Sequence, residues 1–166
     1  MTIKKLTKNF YINIIIVFFI FTVDRISKIY VIHLDKKAAF QELFVSKFLN
    51  IDLIWNEGIA FGLFSFSQNY LYNFFTLIII IMITIILIMI IKSDGLKKYF
   101  LLMIFGGALG NLCDRIFFRA VPDFIDFHIE NFHWFIFNIA DIFITLGVIM
   151  LILLEILKTK KNYEKQ

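Results

Sequence analysis

Asp141 stands in Phe137-Asn138-Ile139-Ala140-Asp141-Ile142-Phe143, near the start of a run otherwise apolar enough to cross a bilayer. Asp24 and Asp114 interrupt two other such runs, and Asp123 lies in the short connection between the last two. An ionisable group inside a membrane is costly, so each of these carboxylates must be neutralised by a partner or used for proton chemistry. The polar residues also keep helical spacing. Asn111 lies three residues before Asp114 and four before Arg115, Asn138 lies three before Asp141, and Asp24 lies four before Lys28. Such pairs project from one side of a helix. Structural pairing explains much of this, because Arg115 can neutralise Asp114 or Asp24 and asparagines can satisfy buried carboxylates across helices.

The elements that must hold these residues follow from composition. Hydrophobic residues make up 60% of the 166, charged residues 18%, and mean hydropathy is +0.84. Soluble domains are far less apolar, so this is an integral membrane protein. Four stretches approach the roughly 20 residues that span a hydrocarbon core: 10–32, 70–91, 99–118 and 134–157, with outer connections at 33–69 and 119–133. Lys4, Lys5 and Lys8 before the first stretch resemble the start of a secretory signal, but Asp24-Arg25-Ile26-Ser27-Lys28 follows with no small-residue cleavage pattern. The expectation is an uncleaved helix. Cys113 has no partner for an intramolecular disulfide and reads as a small packing residue.

Cations set the expected orientation. Lys4, Lys5 and Lys8, then Lys92, Lys97 and Lys98, then Lys158, Lys160, Lys161 and Lys165 mark three cytoplasmic segments by the positive-inside rule. Both termini then lie inside. The pI near 9.1 thus reflects membrane orientation and makes no case for nucleic acid. With a helical rise of about 1.5 Å per residue, Asp24 lies about 21 Å above Phe10, Asp114 about 22 Å above Tyr99, and Asp141 about 10 Å below Trp134 or Phe135. In a core about 30 Å thick these are similar levels in the outer third, with Asp123 at or just above them.

Other features guide packing. Gly106 and Gly110 in Gly106-Gly107-Ala108-Leu109-Gly110 make a small-xxx-small face, and no Lys-Ser or Lys-Thr follows to make a phosphate loop. Leu49, Ile51, Leu53 and Trp55 alternate with Asn50, Asp52 and Ile54, the period of a half-buried strand, which ends at a turn in Asn56-Glu57-Gly58. His33, His128 and His133 lack the His-Glu-x-x-His arrangement, and no His or Cys cluster has metal-ligand spacing. Asp123-x-x-Asp126 with Glu130 offers cation ligands but reads more simply as a solvated acidic face.

Taken in order, the motifs resemble the bacterial lipoprotein signal peptidases, or signal peptidase II, over nearly the whole chain. Asp24-Arg25-Ile26-Ser27-Lys28 is similar to the first motif of that family and Asn56-x-Gly58-x-Ala60-Phe61-Gly62 to the second. Gly106-Gly107-Ala108-Leu109-Gly110-Asn111-x-x-Asp114-Arg115 is similar to the third, and Asp123-Phe124 with Phe137-Asn138-x-Ala140-Asp141 to the last two. The resemblance implies an all-α membrane protein: a four-transmembrane-helix bundle with a small extracytoplasmic β-sheet and a short surface helix. It implies an aspartyl endopeptidase of the bacterial cell membrane, with its site near the outer face, that cuts prolipoproteins before a diacylglyceryl-modified cysteine. Asp123 and Asp141 match the catalytic pair. Asn56, Asn111, Arg115 and Asn138 match positions that shape the site or bind substrate, and Asp24, Lys28, Asp114, Gly58 and Ala140 match supporting ones. No cofactor or metal is expected. Its expected partners are prolipoprotein substrates and membrane lipids, with no nucleic acid, and a monomer is expected.

The implied chemistry suits the residues. Two close aspartates share a proton, so one can activate water while the other polarises the scissile carbonyl. A coupled pair titrates as a unit, and sequence does not say which member is the base. Two departures bear on local backbone: Pro122 precedes Asp123 where the family usually has an aliphatic residue, and Phe135 stands where it usually has proline. A small proton-coupled transporter or channel subunit is the competing class. It would spread polar residues toward the cytoplasm, whereas the inner helix halves carry little beyond Asn13 and Thr84.

Overall fold

The computed structural model describes residues 3–37, 43–58, 69–130 and 132–163. Four helices, α1 (Ile3–Lys37), α2 (Asn69–Lys92), α3 (Gly95–Phe118) and α4 (Ile139–Tyr163), accompany four strands, β1 (Phe44–Val45), β2 (Leu49–Asn56), β3 (Val121–Ile129) and β4 (Phe132–Phe137). The architecture is mostly helical with one antiparallel sheet in the order β1-β2-β3-β4. Among the described residues, the segments Tyr70–Lys92, Gly95–Phe118 and Ile139–Lys160 are long and apolar enough to cross a membrane. No short surface helix occurs among the described residues, and Ala60, Phe61 and Gly62 lie outside them.

The alternation in 49–55 becomes β2, and the expected helices at 70–91 and 99–118 become α2 and α3 with small shifts at their ends. The helix expected over 134–157 is different. Residues 134–137 belong to β4, and α4 begins only at Ile139. An unbroken apolar run does not distinguish a buried strand from a helix by period. The break comes at Asn138, which caps α4. Its Oδ1 accepts the Asp141 N–H at 3.2 Å, while the Asp141 carboxylate accepts the Asn138 N–H at 3.2 Å. This reciprocal pair is a capping box, with Asp141 at the third helical position. Asp141 is therefore in the first turn of α4, not about two turns inside a helix that starts near Trp134.

Close approach of the helices depends on small residues. A Cβ at Gly110 would come within 2.5 Å of an Asp24 carboxylate oxygen, and one at Gly107 within 2.5 Å of the Ala140 carbonyl oxygen. Gly106 faces Ile20 of α1. Thus one edge of α3 meets α1 and the neighbouring edge meets the start of α4. Arg119, with φ of 58° in the left-handed region, ends α3 and turns the chain into β3.

Pro122 sits in β3 opposite Trp55 of β2, and the pairing of β3 with β4 begins only at Ile125 opposite Phe137. A proline has no N–H to donate, and here it has a neighbouring strand on one side only, where that loss is tolerated. The strand runs on through it. Phe135 lies exposed on β4.

Candidate active site

Four elements, β2, β3, α3 and α4, meet around Asp123 and Asp141. β3 carries Asp123, which is 4% exposed, and the first turn of α4 carries Asp141. Asn56, at the end of β2, donates from Nδ2 to Asp123 Oδ2 at 2.8 Å, and Asn138 donates from Nδ2 to Asp123 Oδ1 at 2.6 Å. Asn111 of α3 donates from Nδ2 to Asp141 Oδ1 at 2.8 Å. Asn138 joins the two acids, because its amide nitrogen serves Asp123 while its carbonyl oxygen caps the Asp141 N–H.

Each asparagine is itself oriented. The Gly58 N–H donates to Asn56 Oδ1 at 2.9 Å, which turns the Asn56 amide nitrogen toward Asp123. Lys28 donates to Asn111 Oδ1 at 2.8 Å and so fixes which end of that amide faces Asp141. Arg115 donates to the carbonyls of Asn111 at 3.3 Å and Gly58 at 3.4 Å, tying α3 to the chain after β2. The Tyr72 hydroxyl donates to the Arg115 carbonyl at 3.1 Å.

Beneath this layer is a buried charge cluster. Asp24 and Asp114 are both 0% exposed and Lys28 is 1% exposed. The Lys28 ammonium lies 2.9 Å from Asp24 and 2.7 Å from Asp114, and Arg25 pairs with both acids as well. Asp24 also accepts the Ala140 N–H at 3.1 Å, which links α1 to the start of α4. The i,i+4 pairing of Asp24 with Lys28 is as the spacing suggests. Arg115 is not the counterion of Asp114 or Asp24; that role falls to Arg25 and Lys28, and the Arg115 guanidinium points to backbone carbonyls instead. Sequence reasoning passed over Arg25 and Tyr72. Arg25 stands inside the first motif, but spacing puts it about 100° around the helix from Asp24 and does not show that its long side chain reaches back to Asp24 and Asp114.

Asp126 and Glu130 do not extend the site. Asp123 and Asp126 are three apart on a strand, so they project from opposite faces. Asp126 is buried against His133, with 2.7 Å between its Oδ2 and the ring Nδ1, rather than forming a solvated acidic face. Glu130 lies in the hairpin turn.

The two acids open into a cavity of about 430 Å³. Asn56, Asn111, Arg115, Asp123 and Asp141 form its polar end, while Ile79, Ala108, Ile144, Val148 and Ile149 from α2, α3 and α4, with Val121 and Thr145, line the rest. A polar end joined to an apolar channel suits a ligand with one hydrolysable group and one greasy part.

Burial first, and the nearby Asp141 charge second, together raise the Asp123 carboxyl from its ordinary range to about 6, against the donated hydrogen bonds of Asn56 and Asn138. Between about pH 4 and 6 the folded protein therefore holds a proton that the unfolded chain has released. Stability then falls as pH rises through that window. The expected result is a contribution near pH 6 to the pH dependence of thermal unfolding in detergent. In Asp141→Asn that midpoint should move to lower pH, because one cause of the elevation is gone. An unchanged midpoint would break the link between the two carboxyls.

Comparison with known proteins supplies a family. Residues 16–157 match the family described as Signal peptidase (SPase) II. A lipoprotein signal peptidase of Pelagibacter ubique is 48% identical over 159 residues, covering 95% of this chain and 96% of that protein. One from Anaplasma phagocytophilum is 43% identical, covering 89% and 93%. A solved structure described as a bacterial membrane enzyme, 33% identical, superposes with a TM-score of 0.74 over 90% of both chains. A second, described in the same way, is 34% identical with a TM-score of 0.69, covering 88% of this chain and 92% of that one. A match that spans the charge cluster, both asparagine-held acids and the sheet between them makes this chain a member of the signal peptidase II family.

Proposed function

We propose that Asp123 and Asp141 are the catalytic pair with which this peptidase removes signal peptides from prolipoproteins, cutting before a diacylglyceryl-modified cysteine. The observation that carries this reading is the placement of two asparagine-held carboxylates at the polar end of an otherwise apolar cavity. The pair shares a proton. Its ionised member takes a proton from water, the water oxygen attacks the scissile carbonyl, and the protonated member donates to the carbonyl oxygen. Collapse of the tetrahedral intermediate returns that proton and passes the other to the leaving amine. Asn111 and Asn138 keep the carboxylates apart from each other's rotamers and aimed at the cavity. Arg115, with Gly58, holds Asn56 over Asp123.

The acyl chains of the substrate lie along Ile144, Val148 and Ile149. Burying them contributes about 0.8 kcal/mol per CH₂, enough to select a lipidated precursor over a bare one. In this topology α1 is a fourth span. Its 35 residues are long enough, and its interruption by Asp24, Arg25 and Lys28 is matched by Asp114 across the helix interface. The sheet and both acids lie toward the outer face, the helix ends that carry Lys92, Lys97, Lys98, Lys158 and Lys160 and both termini lie in the cytoplasm, and the chain works as a monomer among membrane lipids. A proton-coupled transporter is disfavoured because the buried acids and asparagines Asp24, Asn111, Asp114, Asp123 and Asn138 gather at one end of the bundle.

The test is cleavage by purified protein of two precursors that differ only in the diacylglyceryl group. The modified precursor should be cut before its cysteine, and the unmodified one at least about 100-fold more slowly, a ratio that corresponds to under 3 kcal/mol. Equal rates would remove the acyl chains from the cavity.

A further inference from the structure

The hairpin of β3 and β4 holds a second group of ligating side chains, on the opposite face of β3 from Asp123. Asp126 and His128 are two apart on β3 and share that face. His128 lies directly across from His133 of β4, with ring centroids 5.1 Å apart and planes at 23°. The pairing is irregular between Asp126 and His128, since Asp126 faces Ile136 while His128 faces His133. Two residues of β3 thus span three of β4, a bulge of the kind that re-aims side chains. One ligand atom each from Asp126, His128 and His133 lie within 4.8 Å of one another.

A structural reading accounts for part of this group. The Asp126 to His133 contact of 2.7 Å is an ion pair when the imidazole is charged, and stacked cross-strand rings are common packing. Two atoms remain unexplained. Asp126 Oδ1 and His128 Nδ1 are both buried, and neither has a hydrogen-bond partner among the described residues. Asp126 as a whole is 5% exposed. A buried polar atom left unpaired costs about 1 to 3 kcal/mol, and two at one place, both of ligating type, call for a shared partner.

We infer that Asp126, His128 and His133 form a binding site for a divalent transition-metal ion, with zinc the best match. Two imidazole nitrogens and one carboxylate oxygen suit zinc, whereas magnesium and calcium prefer oxygen alone. His133, with a side chain 54% exposed, leaves one side open for a water ligand and for entry of the ion. Binding releases to solvent any proton held between His133 and Asp126. The ion fastens β4 to β3 three residues beyond Asp123, so it stiffens the strand that carries a proposed catalytic acid without touching the substrate cavity.

The experiment uses full-length protein in detergent, freed of any affinity tag and stripped with chelator, then titrated with zinc chloride by calorimetry. One zinc per chain is expected. His128→Ala and His133→Ala should each weaken it at least about tenfold, and Asp123→Asn should leave it within about twofold. Absence of saturable binding, or affinity unchanged in both histidine variants, would overturn the site. So would loss of the zinc in Asp123→Asn, which would place it on the peptidase acids. A second measurement needs no variant: zinc should slow amide exchange in 125–129 and 132–136 of the wild-type chain, and unaltered exchange there counts equally against the site.

Discussion

Asp123→Asn and Asp141→Asn should each reduce cleavage of a diacylglyceryl-modified precursor by about 10³-fold or more, the scale at which a lost acid or base acts on proton transfer. The double variant should be no worse than the poorer single one, because the pair works as a unit. All four carboxylate oxygens accept a hydrogen bond or face one: Asn56 and Asn138 serve Asp123, and Asn111 and the Asn138 backbone serve Asp141. An amide in either position sets its N–H₂ group against another N–H donor, at a cost of about 1 to 3 kcal/mol. Thermal unfolding measured beside turnover separates this loss from the chemical one. A variant that melts a few degrees lower yet keeps more than a few per cent of wild-type turnover would remove its aspartate from the reaction.

Lys28→Met should have the largest effect on stability. The ammonium is buried and donates to Asp24, Asp114 and Asn111 at 3.0, 2.7 and 2.8 Å. Without it, two fully buried carboxylates share Arg25 alone. Breaking a buried ion pair in this way costs about 3 to 5 kcal/mol. Lys97, whose exposed contact with Glu155 is 3.3 Å, provides the contrast, since Lys97→Met should change the melting temperature little. Protein that still folds with Lys28→Met should also turn over more slowly, as Asn111 Oδ1 loses the contact that aims its amide at Asp141. Equal melting of the Lys28 and Lys97 variants would show that the cluster contributes nothing net.

How far the chain could be read in advance depended on whether spacing within one element decided the outcome. Asn111 and Arg115 are four apart on α3, and both indeed line the cavity. The alternation that marked β2 was equally local. Partner choice between helices was not local: Arg25 rather than Arg115 meets Asp114, because α3 turns Arg115 toward Gly58 and the chain after β2. The run Trp134–Phe137 fits the start of a helix as well as a strand, since four apolar residues without a polar break carry no period. Asn138, three residues before Asp141, has the spacing of a helix-face pair but is the cap of α4. The Asp126, His128 and His133 group was invisible as linear spacing, because a hairpin turn and a bulge bring it together.

The charge cluster joins residues far apart in the chain, and this bears on biogenesis. Asp24, Arg25 and Lys28 place one acid and two bases within the apolar stretch of α1, a local surplus of one positive charge. Asp114, which balances it, is made 86 residues after Lys28. At about 5 to 20 residues per second, the first helix waits roughly 4 to 17 seconds for its counter-charge. In the topology proposed here, α1 on its own is a poor passenger for the bilayer interior. It should stay beside the insertion machinery until α3 emerges, so that the helices enter the lipid as a pair.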